Sequence, residues 1–69
     1  MNINIREYIK NNFHDSNLEE IKESIEASIE SNDEVVLPGL GVLFEILWNE
    51  STEETHTKIL KHLKDGMTK

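Results

Sequence analysis

The chain contains no cysteine, a single proline (Pro38), and only three glycines and four aromatic side chains in 69 residues. Without cysteine there are no disulfides and no thiolate metal ligands, two of the devices by which small domains supplement a small hydrophobic core. A domain of about 60 residues buries only ~60% of the surface its unfolded chain exposes. Association with another chain is the supplement that remains. Bases are also scarce. The formal net charge is −7, and between Asp15 and Glu54 twelve acids face one base, Lys22. Such a chain repels nucleic acid and anionic membranes, whose attraction to proteins comes largely from lysine and arginine. Long apolar runs are missing too. The opening stretch MNINIREYIK has no signal-like apolar segment, and nothing approaches the ~20 residues a bilayer crossing needs. We therefore expect a soluble protein retained where it is made, with residues 1–69 forming one small helical domain.

What the chain does have is helical periodicity. Ile5, Tyr8, Ile9 and Phe13 recur at three- and four-residue spacing, which predicts a helix over residues 5–13. Asn4 with Glu7 has the spacing of a capping box, and Ile3 then takes the staple position against Tyr8. Ser16 with Glu19 predicts a second box and a second helix, with Leu18, Ile21, Ile25 and Ile29 on one face and glutamates on the other. Ser51 with Glu54 opens a last helix that carries Ile59, Leu60, Leu63 and Met67 on one side. Its lysines, Lys58, Lys61 and Lys64, gather toward the negative end of the helix dipole. Gly66 is placed to end that helix in a left-handed conformation.

The stretch between, LPGLGVLFEILW from Leu37 to Trp48, carries one charge, Glu45. Two readings are open. A helix starting at Pro38 puts Leu40, Leu43, Phe44, Leu47 and Trp48 on one face, with Val42 and Ile46 widening the apolar surface. Alternatively, Val35–Leu37 is a strand, Gly39–Gly41 a turn, and Val42, Phe44, Ile46 and Trp48 alternate along a second strand. A helix apolar nearly all round must be enclosed. Three short amphipathic helices cover it incompletely, which makes a second copy of the chain a candidate partner. Trp48 suits either a core or an interface.

Few residues suggest catalysis. Gly39-Leu40-Gly41 lacks the third glycine of a dinucleotide loop and the Gly-Lys-Ser/Thr of a P-loop, and reads as a tight lead-in to the next element. Glu53-x-x-His56 is half of a di-iron ligand pattern without its second half. His56 reads as a residue at the edge of the core, a turn before Ile59 and Leu60. No nucleophile has a legible histidine–acid partner, and so short a chain has little room for a substrate pocket. We expect no enzyme, cofactor or metal.

The run LPGLGVLFEILWNES resembles the small acid-soluble spore proteins of the I type, from endospore-forming bacteria. The shared pattern is Leu37-Pro38-Gly39-Leu40-Gly41-Val42-Leu43-Phe44-Glu45, an apolar pair and Trp48. The similarity extends along the chain as a short N-terminal segment, an acidic helix, this motif and a glutamate-rich helix ending near a glycine. It implies a minor, non-enzymatic protein made during sporulation, placed in the cytoplasm of the forespore and then in the spore core. It does not imply DNA coating, since the chain does not resemble the α/β-type spore proteins.

A second similarity links EEIKESIEASIESNDEVVLPGLGVLFEI to the N-terminal half of HU-type DNA-bending proteins, where a helical hairpin leads into a strand and a Gly-aromatic-Gly turn. Leu40 stands in the aromatic's place, and no basic arms follow. The leading expectation is an all-α bundle of about four short helices that self-associates through Leu40, Leu43, Phe44, Leu47 and Trp48, beside the motif residues Leu37, Pro38, Gly39 and Gly41. The alternatives are an α+β, HU-like dimerisation module associated with nucleic acid, and an acidic module that binds a basic partner through Glu19, Glu23 and Glu26.

Overall fold

A computed structural model describes residues 4–69. They form four helices, α1 (Ile5–Phe13), α2 (Leu18–Ser31), α3 (Leu37–Glu50) and α4 (Glu53–Met67), with a 3-10 turn, Glu34–Val36, leading into α3. No strand occurs among the described residues, so the architecture is an all-α small bundle and the α+β alternative is overturned. The staple assigned to Ile3 lies outside the described residues.

Each helix start has a local cause. The Asn4 side chain accepts from the Glu7 amide at 3.1 Å and opens α1. The box expected at Ser16 and Glu19 forms one residue later: Asn17 accepts from the Glu20 amide at 2.8 Å, and the Glu20 carboxylate accepts from the Asn17 amide at 3.4 Å. Asparagine caps as well as serine, and the Ser16 amide is committed to the Phe13 carbonyl in the preceding turn. The box expected at Ser51 is likewise displaced. Ser51 closes α3, its hydroxyl donating to the Leu47 carbonyl, while Thr52 caps α4 by accepting from the Thr55 amide at 3.3 Å.

The glycine expectations are corrected as well. Gly66 lies inside α4 and no described glycine has a positive φ; the left-handed cap belongs to Asn32, which ends α2 at φ 51°. Gly39 and Gly41 form no turn but sit within α3, whose first turn holds Pro38, where a missing amide leaves no helix bond unmade. The Asp33 carboxylate accepts from the Val35 amide at 3.0 Å and sets the 3-10 turn, so the chain winds into α3 where a strand was the alternative.

Two features mark the packing of α1 against α3. A Cβ added at Gly39 would lie 3.3 Å from Ile9 Cδ1, so the bare glycine is what lets the two helices approach. Farther along the same face, Arg6 donates in a bidentate fork to Glu45 at 2.7 and 2.9 Å. These hydrogen bonds, with the charges of Arg6 and Lys10, hold the Glu45 carboxyl below its ordinary value, and Glu45 raises the Arg6 guanidinium in return. A carboxylate with a depressed folded-state value contributes stability that is present above its unfolded value and lost as pH falls through the folded one. Glu45→Gln is therefore expected to melt below the parent at neutral pH. The gap should close on acidification through that depressed range, which thermal melts across a pH series would read; a constant gap would deny the pair its role. The pair is exposed, so the effect is small.

Gly41 meets nothing within 4 Å of an added Cβ. Gly41→Ala is therefore expected to stabilise by about 1 kcal/mol, the helix-propensity difference. Gly39→Ala should gain less, because Ile9 must move aside. Denaturant midpoints of the two variants give the comparison, and equal gains would show that Gly39 is no close-approach site.

Packing is open throughout. No described residue is fully buried. The accessible surface is 6197 Å², where a compact monomer of 8.0 kDa exposes about 4,500 Å². The radius of gyration is 13.4 Å, against about 11 Å for a compact chain of this length.

Candidate interaction face

Apolar surface is left open along the whole chain, and on α3 it includes Leu37, Phe44 and Leu47. Helix α1 lies along the side that carries Gly39 and Glu45, and Val42, three residues from each, is half-buried there. On the other side Leu40 and Leu43 are half-buried, whereas Phe44 and Leu47 remain 41% and 46% exposed. This side looks onto a groove of about 710 Å³. Its other walls are Ile9 and Phe13 from α1 and Ile21 and Ile25 from α2, with Lys10 and His14 on the rim. A second groove of about 490 Å³ opens beside the 3-10 turn, and Leu40 and Leu43 line both. Helix α2 thus faces α3 across open clefts.

Trp48 is placed differently from its neighbours. Its indole stacks on the His56 ring of α4, with centroids 3.8 Å apart and planes 2° from parallel, and lies 6.0 Å from the Phe44 ring. His56 Nε2 donates to the Trp48 carbonyl at 2.7 Å. A carbonyl only accepts, so that ring nitrogen carries the hydrogen. One residue of α4 therefore satisfies the C-terminal end of α3 and covers its tryptophan. His56 does border the packed region, as its spacing suggested.

Of the residues expected to act together, the structure brings Leu40, Leu43, Phe44 and Leu47 onto one open face and ties Trp48 at its end into a contact within the chain. Pro38 and Gly39 line the smaller groove, and Leu37 and Gly41 are exposed. Ile9, Phe13, Ile21 and Ile25 had not been assigned to any site. Their helical stripes marked them as inward-facing, but not that they face the same groove. No three His, Asp or Glu side chains converge as metal ligands among the described residues. His14 Nδ1 lies 3.0 Å from Asp15, its chain neighbour, and His62 is exposed. No helix among them is long and apolar enough to cross a membrane.

Comparison with known proteins adds what geometry does not. Residues 3–67 match the family described as small, acid-soluble spore protein I. The chain belongs to that family. Proteins of that name from Bacillus licheniformis and Bacillus subtilis are 39% and 37% identical to it over 67 residues, covering 97% of this chain and 96% and 94% of theirs. One from Bacillus cereus is 35% identical over the full length of both. No solved structure matches. Small, acid-soluble spore protein I relatives thus align from end to end, and the family resemblance read in the α3 motif holds for the whole chain.

Proposed function

We propose that this chain is made in the developing forespore and held in the spore core, where it acts without catalysis, by association through the open face of α3. A second copy of the chain is the partner proposed. The observation that carries the reading is the exposure of Phe44 and Leu47 at the centre of an otherwise apolar helix in a chain of spore proteins. The charge of the chain fits the acid solubility in the family's name. In strong acid the 14 carboxylates are neutral, while seven Lys/Arg and three histidines stay charged, so the chain passes from −7 to strongly cationic and its copies repel.

The test is extraction of purified, decoated spores with dilute acid, with the chain followed by mass spectrometry and a tagged copy followed during sporulation. Recovery from the core fraction, with the tag confined to the forespore, is expected. Equal amounts in growing cells, or recovery only from the coat, would overturn the placement.

A further inference from the structure

We propose that self-association proceeds by exchange of α4, with the C-terminal half of each copy's α4 lying in the α1–α2–α3 groove of the other. The inference rests on the self-association reading and names the segment that fills the groove.

The first observation is that α4 is anchored at one end only. Its first turns are held by the stack of His56 on Trp48. Beyond Ile59, which is half-buried, Leu60, Leu63 and Met67 are 53%, 43% and 76% exposed. They lie on one stripe at three- and four-residue spacing, the pattern by which an amphipathic helix occupies a hydrophobic groove. The second is the groove itself, lined by Ile9, Phe13, Ile21, Ile25 and Leu47 and open to solvent.

The third is charge. Residues 4–50 carry three bases and eleven acids, net −8, whereas residues 58–69 carry four lysines and one acid, net +3. Among the described residues only Lys58 of these lysines reaches a carboxylate of its own chain, Glu54 at 4.0 Å. The basic, half-apolar helix and the acidic body are complementary in net charge between copies, while the groove's own rim carries the bases Lys10 and His14, so the apolar stripe rather than a local ion pair seats the helix. Area agrees as well. The chain exposes roughly 1,700 Å² beyond a compact monomer of its mass. A stable interface takes about 800 Å² from each partner. Reciprocal exchange closes as a two-fold dimer and leaves neither groove nor tail open to a third copy.

Full-length variants test this by sedimentation equilibrium. Leu60→Asp with Leu63→Asp should weaken the dimer by about tenfold or more while leaving helicity unchanged, since both sites are exposed in the single chain. Lys61→Glu with Lys64→Glu should weaken it more at about 10 mM salt than at about 150 mM, where the Debye length is ~8 Å. Mixing the Leu60/Leu63 variant with Leu47→Asp should restore a heterodimer, because one intact tail then meets one intact groove. Exchange is overturned, and self-association kept, if the tail variant stays dimeric while Leu47→Asp does not, which is face-to-face pairing of α3. A parent chain that is monomeric throughout overturns both. So does one that stays monomeric and sediments with anionic vesicles through its lysines.

Discussion

Replacing Trp48 with alanine is expected to destabilise the fold by about 2 kcal/mol, below the ~3–5 typical of a fully buried tryptophan because Trp48 is half-buried. In a domain of this size that lowers the melting temperature by roughly 8–16 °C. The cost is concentrated in one side chain because Trp48 joins two helices. Its indole covers the His56 ring, Phe44 lies against it, and the His56 hydrogen bond ends on its own carbonyl. Without the indole, the first turn of α4 loses its main contact with α3. His56→Ala should cost about 1 kcal/mol, the usual net value of a hydrogen bond. A double-mutant cycle between the two should then return a coupling of about 0.5–1.5 kcal/mol, the range for stacked rings in contact. Melts by circular dichroism read all three variants. A Trp48→Ala chain that melts with the parent would mean that α4 is held by something other than this stack.

Trp48 also marks where a sequence reading stops. Three helices, their approximate bounds and the charge asymmetry were legible, because three- and four-residue spacing of Ile and Leu is a local property, whereas α3 was only the leading of two readings, since its apolar residues fit both helical and alternating spacing. Caps were found to within one residue and misassigned twice, at Ser16 and Ser51. In each case a capable neighbour, Asn17 or Thr52, took the role while the serine was engaged in the preceding turn. Glycine misled for a related reason. Gly39 reads as a breaker, yet what it supplies is closeness to Ile9, thirty positions away in the chain. The Trp48–His56 stack and the Arg6–Glu45 fork are likewise long-range pairings that no periodicity encodes. The face of α3 could be listed residue by residue in advance. That α1 would cover its opposite side and leave Phe44 and Leu47 in the open required the packing.

The same open packing predicts that folding and association are linked. At 6197 Å² exposed, the single chain of 8.0 kDa buries only about 47% of its unfolded surface, short of the ~60% usual even for small domains. A partner that binds only the folded chain adds its binding free energy to stability, so the melting temperature of a dimer rises with protein concentration. A hundredfold increase is worth about 2.7 kcal/mol per dimer. Spread over an unfolding entropy of ~2.1 cal/mol/K per residue, this is a rise of about 9 °C for two copies of the chain. Leu47→Asp should abolish the rise. Leu47 is nearly half exposed in the single chain, so its replacement costs that chain little, and the loss falls on whatever covers it in the pair. Scanning calorimetry from about 5 to about 500 μM distinguishes the outcomes. A parent melting temperature that does not move over that range would show that the chain is stable as the open monomer, and that the face of α3 has no second copy to bind.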